Sequence, residues 1–299
     1  MPKSVLYVGG WKLSMYALGS SEPLHSTKTN LYVLQAHIAL DLHGDLCEAN
    51  GNVSAPAIYA FNARTLKLEG ALGSYGVFAL AADRSGYLYG TNEAYIFAYA
   101  PGCTHNVDII RHCANSGPLV FDQFGNLYAG EGRAVCIFAP TQKPGHMRFV
   151  RAIREGIDQA FALAVGPSGQ LFVANFGNSS VTVFPAGGSK PSRRITKGLE
   201  SPWALAVDST GRLYVANRPN SPPQTPGWVS VYSPDGTRPI HTIKYGKGVA
   251  PSALAIDPSN NLYVAADNAV RVYSPGGAKL LRRITKGVDG PQALLIGSP

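Results

Sequence analysis

Short apolar runs alternate with polar turns along the whole chain, and one arrangement of them recurs. Its clearest copy is WALAVDSTGRLYVAN at residues 203–217, where an apolar run ends in Asp208, a Ser-Thr-Gly turn follows, and a second apolar run ends in Asn217. Near copies stand at 161–175 and 252–267. Short runs rich in Val, Leu, Tyr and Ala and bounded by turn formers predict strands, and two such runs joined by a tight turn predict a β-hairpin.

The residue that closes the first strand of each copy gives the length of the repeat. These markers lie 39 to 49 residues apart, at Asp41, Asp83, Asp122, Gly166, Asp208, Asp257 and Gly297. A period of about 42 residues with four strand-like pieces per unit is typical of β-propeller blades. In the clearest unit the pieces, named strands A to D from the channel outwards, are residues 204–208, 213–216, 229–232 and 240–244.

The two ends of the chain complement each other. Residues 291–296 form a strand A without a strand B, and residues 6–8 and 15–18 form strands B and C without a strand A. We therefore predict an all-β fold, a seven-bladed β-propeller with four-stranded antiparallel blades, whose ring closes by pairing the C-terminal strand with the N-terminal strands. The predicted single domain, 1–299, comprises a composite blade 1 (290–299 with 1–33) and blades 2 to 7 at 34–75, 76–115, 116–158, 159–200, 201–249 and 250–289.

The motif ALAVDSTGRLYVAN, followed by VSVYSPDG, resembles the NHL-repeat and related YVTN-type propellers over essentially the whole chain. It is also similar to the streptogramin lyase group, and more loosely to the gluconolactonase/senescence-marker family. The likeness to the streptogramin lyases implies a magnesium site built from Glu at the ends of strand B and from nearby His and Glu. The likeness to the gluconolactonases implies Glu, Asn and Asp around one divalent ion. Here most strand-B ends are Asn, no His stands at one of them, and no clear Asp partner is found.

The ends of strand B should surround one mouth of the central channel. They are Gly10, Asn50, Asn92, Glu131, Asn175, Asn217 and Ala266. One interpretation is a recurrent structural Asn that bonds its own turn. The other is a ring of oxygens facing a ligand, with Asn50, Asn92, Asn175 and Asn217 as binding residues and with Glu131, Asn175 and Asn217 as ligands of Ca²⁺ or Mg²⁺.

The first residues of strand A should line the same mouth. They are Ala36, Phe78, Gly117, Phe161, Trp203, Ser252 and Gln292. Aromatic side chains there can stack on a ligand or pack between blades. We single out as ligand-binding candidates Trp11, Tyr75, Trp203, Gln292 and Arg218, the last of which opens the proline-rich loop 218–227. His37 is the histidine best placed as a general base, although a lone His is more often structural.

The formal charge of +8 is unevenly distributed. Residues 1–145 carry 9 Lys/Arg against 10 Asp/Glu, whereas residues 146–299 carry 17 against 8. Basic residues recur on the outer strands, as in RRITK at 193–197 and 282–286, where charge protects an exposed edge or attracts an anionic partner. The cluster lacks interleaved aromatics, which argues against nucleic acid. No apolar run is long enough to span a membrane, and we expect a monomer.

Four cysteines leave the redox compartment open. Cys47 and Cys136 lie in apolar strands and are interpreted as buried thiols. Cys103 and Cys113 can form a disulfide only if the segment between them folds back. The start, MPKSVLYVGGWK, lacks an apolar signal core, so the protein either stays inside the cell or its signal is absent from this sequence. Low charge with abundant Gly, Ser, Asn and Tyr favours export.

Two functions are compatible with these patterns. In the first, the propeller binds a small polar ligand, a glycan or a peptide at the mouth. In the second, it is a metal-assisted lyase or hydrolase in which Glu131 and neighbouring Asn residues hold a divalent ion and His37 is the base. No GxSxG, phosphate-binding loop, CxxC or HExxH motif points to another chemistry.

Overall fold

The computed structural model describes residues 4–28, 37–41, 43–50, 57–73, 76–111, 117–219 and 225–299. In this part of the chain, 28 strands form seven four-stranded antiparallel sheets arranged as a ring. The helical content consists of two short 3₁₀ turns, Pro101–Cys103 and Pro275–Gly277. The predicted all-β, seven-bladed propeller is therefore confirmed.

The strands follow the chain in blade order. Blade 1 contains β1 (Val5–Gly9), β2 (Lys12–Ala17), β3 (Pro23–Lys28) and β28 (Ala293–Gly297). Blade 2 contains β4 (Ile38–Leu40), β5 (Asp45–Ala49), β6 (Ile58–Asn62) and β7 (Leu68–Leu72). Blade 3 contains β8 (Ala79–Ala82), β9 (Leu88–Thr91), β10 (Ile96–Tyr99) and β11 (Asn106–Ile110). Blade 4 contains β12 (Leu119–Phe121), β13 (Leu127–Glu131), β14 (Ala134–Pro140) and β15 (Met147–Ile153).

The remaining three blades are built in the same way. Blade 5 contains β16 (Ala160–Val165), β17 (Leu171–Asn175), β18 (Ser180–Phe184) and β19 (Arg193–Ile195). Blade 6 contains β20 (Pro202–Val207), β21 (Leu213–Asn217), β22 (Trp228–Tyr232) and β23 (His241–Lys244). Blade 7 contains β24 (Pro251–Ile256), β25 (Leu262–Ala266), β26 (Ala269–Tyr273) and β27 (Leu280–Ile284).

Blade 1 closes the ring through its innermost strand. Strand β28 pairs antiparallel with β1, with a register that runs from Val5 opposite Gly297 to Gly9 opposite Ala293. Its sheet order is β28-β1-β2-β3. The C-terminal strand thus supplies strand A of the blade whose other three strands are N-terminal.

A buried aspartate organises the turn between strands A and B. In blade 6, Oδ1 of Asp208 accepts backbone N–H bonds from Thr210 (2.9 Å) and Arg212 (3.0 Å), and Oδ2 accepts the hydroxyl of Tyr214 (3.0 Å). Asp122 in blade 4 and Asp257 in blade 7 make the same set of bonds. In blades 4, 6 and 7, the Asp that marks the repeat in sequence is therefore a turn-forming group with its hydrogen-bonding capacity used inside the blade.

Apolar side chains between neighbouring blades form the core. Seven clusters of buried residues occur, one at each interface of the ring. Each blade contributes one sheet face to the cluster before it and the other face to the cluster after it. This explains why residues on both faces of the middle strands are buried.

The cysteines depart from the sequence-based interpretation. Cys47 on β5 is buried as expected, but it is not a thiol, because it forms a disulfide with Cys103 of blade 3. The suggested Cys103–Cys113 pair is therefore wrong. Cys136 is also disulfide-bonded rather than a thiol, and Cys113 lies outside the described residues.

The Cys47–Cys103 bond lies at a position where other blades have a tyrosine. Cys47 occupies the place of Tyr214 in the blade motif, and Pro101–Cys103 corresponds to Pro275–Gly277. Between blades 6 and 7, the backbone N–H of Gly276 donates to the Tyr214 hydroxyl at 2.9 Å. Without a tyrosine at position 47, the backbone N–H of Gly102 donates directly to Oδ2 of Asp41 at 2.7 Å, and the disulfide is a second connection between blades 2 and 3.

Several arginines of the basic outer strands bind the next blade. Arg151 donates to the carbonyl of Gly187 at 2.6 Å, and Arg193 donates to Asp235 at 3.0 Å and to the carbonyl of Pro234. These guanidinium groups therefore connect adjacent blades at their outer turns. No helix in the described ranges is long and apolar enough to cross a membrane.

Replacing Asp208 by Ala should lower the free energy of unfolding by about 2–3 kcal/mol, because backbone donors and a buried tyrosine hydroxyl lose their acceptor. Urea denaturation measures the change. Asp235→Ala is the matched control, since its almost fully exposed side chain makes one surface ion pair and should cost less than about 1 kcal/mol. Equal losses in the two variants would contradict the structural role of Asp208.

Replacing Cys47 and Cys103 together by Ala should lower the free energy of unfolding by about 2–4 kcal/mol, because the cross-link no longer restricts the unfolded chain. Peptide mapping of the non-reduced wild-type protein should find the two residues in one linked fragment. A Cys103–Cys113 fragment in its place would refute the observed pairing.

Candidate functional site

The heads of the inner strands meet at one end of the channel and enclose a cavity of about 280 Å³. It is lined by the positions expected from the repeat, namely Phe78, Gly117, Phe161, Trp203, Ser252 and Gln292, together with His37. Ala36 lies outside the described residues. We call this cavity the mouth.

Three neighbouring blades direct one residue each into the mouth through a β-bulge. Ala160 and Ala162 pair with consecutive residues of β17, which leaves Phe161 as the extra residue. The same irregularity isolates Trp203 in β20 and Ser252 in β24. A bulge re-aims the side chain that it isolates, and here it turns each one from the blade interface to the channel.

An aromatic arc covers the side of the mouth formed by blades 5 and 6. The ring centroids of Phe161 and Trp203 are 4.3 Å apart, and Phe176 lies 5.3 Å from Phe161. The guanidinium of Arg218 lies 4.4 Å from the centre of the Trp203 ring. Phe176 and Arg218 follow equivalent strand ends, and their backbone N–H groups donate to Gln159 and Ser201 of the preceding loops. Sequence reasoning missed Phe176, although its place directly after Asn175 matches that of Arg218 after Asn217.

A polar arc covers the side formed by blades 7, 1 and 2. The hydroxyl of Ser252 donates to the carbonyl of Pro291 at 2.6 Å and is therefore engaged within the fold. The side-chain amide of Gln292 and the imidazole of His37 make no hydrogen bond with any described residue. Burial lowers the pKa of His37 to about 4, so the imidazole is neutral at pH 7. Within the described ranges, the donors and acceptors of these two side chains are not used by the fold.

Asn175 and Asn217 do not present their amides to the mouth. Both are fully buried. The side-chain oxygen of Asn175 accepts the backbone N–H of Asp158 at 3.0 Å, and that of Asn217 accepts the backbone N–H of Glu200 at 3.0 Å. Their NH₂ groups bond to oxygens of their own and the preceding blades. The structure therefore favours the turn-forming interpretation for these two residues.

The remaining polar residues at the ends of strand B, Asn92, Asn50 and Glu131, each have a different environment. The side-chain oxygen of Asn92 accepts the N–H groups of Ala94 and Tyr95, which forms a tight Asx turn, and Asn50 is buried with its backbone bonded to Ala57 and Val77. Glu131 is half-buried at the rim, with Oε2 3.8 Å from the sulfur of Cys136. Among the described residues, no three His, Cys, Asp or Glu side chains are grouped as a metal site.

The rim carries the remaining candidates. Trp11 is 62% exposed, and its backbone N–H donates to the carbonyl of Asp289 at 3.0 Å. Its ring lies against Gly290, where a Cβ would be 2.5 Å from Trp11 Cδ1. Tyr75 and residues 220–224 of the proline-rich loop lie outside the described part of the chain.

One acidic group behind the mouth was missed. Glu48 on β5 faces the interface between blades 1 and 2, in register with the mouth residue Ile38. Its Oε1 lies 3.2 Å from the point where a Cβ on Gly9 would stand, so a side chain at position 9 would crowd this carboxyl group. Both carboxyl oxygens are buried without a hydrogen-bond partner, and burial raises the pKa to about 8. Glu48 stands where LYVAN-type strands have Val, a signal that was readable in LCEAN.

Comparison with known proteins supports the fold class and nothing finer. No protein-family model and no curated protein matches the chain. A functionally unknown protein from Desulfotomaculum acetoxidans is similar in structure, with a TM-score of 0.76, 13% identity and 99% of both chains covered. Dihydro-heme d1 dehydrogenase NirN in complex with DHE has a TM-score of 0.70 at 10% identity, over 99% of this chain and 75% of that one. U3-55K has a TM-score of 0.70 at 13% identity, over 85% of this chain and 83% of that one.

At these identities the likeness shows a shared β-propeller architecture. The class defined by fold and site together is a seven-bladed β-propeller with a small cavity at one end of its channel.

Replacing Glu48 by Val should stabilise the protein, and the gain should increase with pH. The native pKa of about 8 lies above the usual 4.5, so native Glu48 keeps its proton while the unfolded chain loses it. The wild type should therefore lose up to about 1.4 kcal/mol of stability per pH unit relative to the variant between those two values. Denaturation series at pH 5, 6, 7 and 8 measure the difference. Glu155→Val, which removes an exposed carboxylate from a turn, is the matched control. A flat difference for Glu48→Val would refute the buried acid.

Proposed function

We propose that this propeller binds a small polar ligand, such as a glycan unit or a short peptide segment, at the mouth of its channel. One observation carries the proposal: the seven inner strands converge on a cavity of about 280 Å³. It has an aromatic arc on one side, and on the other two polar side chains that bond to none of the described residues. Ligand pockets commonly combine apolar walls with a few polar groups that orient the ligand.

The roles follow from the geometry of each side chain. Trp203 and Phe161 supply apolar surface, and the bulges at their strand heads hold that surface in place. Gln292 and His37 supply donors and acceptors. The exposed Trp11 on the rim and Arg218 over Trp203 are candidates for contact with ligand parts that extend out of the mouth.

A metal-assisted lyase or hydrolase is the alternative implied by the resemblance of the blade motif to the streptogramin lyase group and, more loosely, to the gluconolactonase family. Glu131 is the residue of that set whose carboxylate remains accessible at the rim. Ca²⁺ or Mg²⁺ would bind there through carboxylate and amide oxygens. The buried amides of Asn175 and Asn217 would have to give up backbone hydrogen bonds to take part, which supports the binding function over the enzymatic one.

The disulfide supports placing this function outside the reducing cytosol. Disulfides persist in oxidising compartments and are rare in cytosolic proteins. The Cys47–Cys103 bond joins buried residues of two blades and thus belongs to the fold itself. We propose that the protein is exported.

Soaking crystals with a library of small polar fragments should place density in the mouth. Trp203→Ala should then weaken the best fragment at least tenfold, which is about 1.4 kcal/mol, because a wall of its pocket is removed. Titration calorimetry measures the affinity, and urea denaturation measures stability. Phe124→Ala is the matched control: this aromatic is 70% exposed at the opposite end of the channel and should change neither value.

Two results would count against binding at the mouth. The first is an empty mouth in every soak. The second is a loss of about 3–5 kcal/mol of stability in Trp203→Ala with unchanged ligand affinity, the signature of a core aromatic. In parallel, metal analysis and melting curves with EDTA, Ca²⁺ and Mg²⁺ test the alternative, since a stoichiometric ion lost to EDTA would favour the metal-assisted enzyme.

A further inference from the structure

The described lining of the mouth carries no formal charge. None of its residues is Asp, Glu, Lys or Arg, and burial keeps the imidazole of His37 neutral at pH 7. By contrast, the neighbouring cavity of about 410 Å³ on the outer side of Phe78 is bordered by both Glu93 and Arg111. The absence of charge is therefore a property of the mouth rather than of every cavity in the protein.

Apart from Lys3, which precedes the end of β1 remote from the mouth, the segments outside the described residues add no charged side chain to this balance. Residues 29–36, 51–56, 74–75, 112–116 and 220–224 contain no Asp, Glu, Lys or Arg, and His112 is their one titratable side chain apart from Tyr and Cys. Wherever these residues lie, they bring no carboxylate, ammonium or guanidinium group to the mouth.

An uncharged cavity selects against ions. The guanidinium of Arg218 lies over the Trp203 ring at the rim and is not among the residues that line the cavity. A ligand charge transferred from water to a site without an opposite charge loses its hydration and gains no partner, which costs several kcal/mol. The formal charge of +8 on the whole chain would attract anions at long range. A preference for uncharged ligands would therefore act against this long-range attraction of anions. It would have to arise from the residues that line the mouth.

The polar arc is suited to hydroxyl groups in particular. A neutral imidazole offers one donor and one acceptor, and a carboxamide offers two donors and an acceptor. A hydroxyl group both donates and accepts, so it satisfies either side chain without a net charge. Gln292 and His37 stand at the heads of adjacent inner strands, opposite the aromatic arc of Phe161 and Trp203.

We propose that the mouth takes an uncharged saccharide unit, whose hydroxyl groups bond to Gln292 and His37 and whose apolar C–H face packs against the aromatic arc. This inference rests on the proposed binding function and narrows it to one ligand class. It also gives His37 the role of a neutral hydrogen-bonding group in place of a general base.

Matched sugars test the charge preference directly. The probes are D-glucose with D-glucuronate and D-glucosamine, and D-galactose with D-galacturonate and D-galactosamine, at pH 7. The three tryptophans give separate indole N–H signals by NMR. Trp203 reports on the mouth, and Trp228, which lies two strands further out in the same blade with its indole N–H bonded to Gly198 and Ser230, serves as the reference. A neutral hexose should shift the Trp203 signal and leave the Trp228 signal unchanged, and its charged relatives should bind at least tenfold more weakly.

A pair of variants separates the polar contact from a change in folding. Gln292→Leu keeps the approximate side-chain size but removes the amide, and it should lower the affinity for the neutral hexose at least tenfold. Gln123→Leu makes the same change at the far end of the channel and should leave the affinity as in the wild type. If the signals of residues away from position 292 have the same chemical shifts in Gln292→Leu as in the wild type, the variant is folded.

The outcomes distinguish this inference from the function on which it rests. A charged sugar that binds at the mouth as tightly as its neutral relative overturns the inference and leaves the binding function standing. So does a mouth that no sugar enters but a non-saccharide fragment fills. A mouth that admits neither sugars nor fragments removes the binding function itself.

Discussion

Each blade of this ring has two apolar faces, and no blade can bury either face by itself. A face is removed from water only when the next blade packs against it, and the ring must close before the last two faces are covered. The other structural features serve this constraint. The buried aspartates shape turns within blades, the Cys47–Cys103 bond and the arginines at outer turns join neighbours, and β28 completes blade 1.

The same constraint makes the channel end a natural site. Inner strands lie side by side around the axis, so their heads converge whatever residues they carry, and the packed blades hold them still. The side chains at the strand heads line the channel, and the apolar clusters between blades lie behind them. The bulges at Phe161, Trp203 and Ser252 each add a side chain to the mouth while the pairing on either side is kept.

The repeat made the fold and the location of the mouth predictable, because strand period, turn residues and the closing Asp are local signals. The orientation of side chains was not predictable in the same way. The side-chain amide of Asn217 could bind a ligand, but its oxygen accepts the backbone N–H of Glu200, which the path of the preceding loop brings close to it. Likewise Cys47 and Cys103 are 56 residues apart and meet only because blades 2 and 3 are packed together.

The antiparallel pairing in blade 1 also determines how the molecule would be presented if it were tethered. Val5 stands opposite Gly297, at the end of that sheet remote from Gly9 and Ala293, the latter being part of the mouth. The start of β1 and the end of β28 therefore lie on the face of the ring away from the cavity. A linker, a surface or a second module attached at the start of β1 or at the end of β28 would hold the propeller with its mouth directed away from the attachment point.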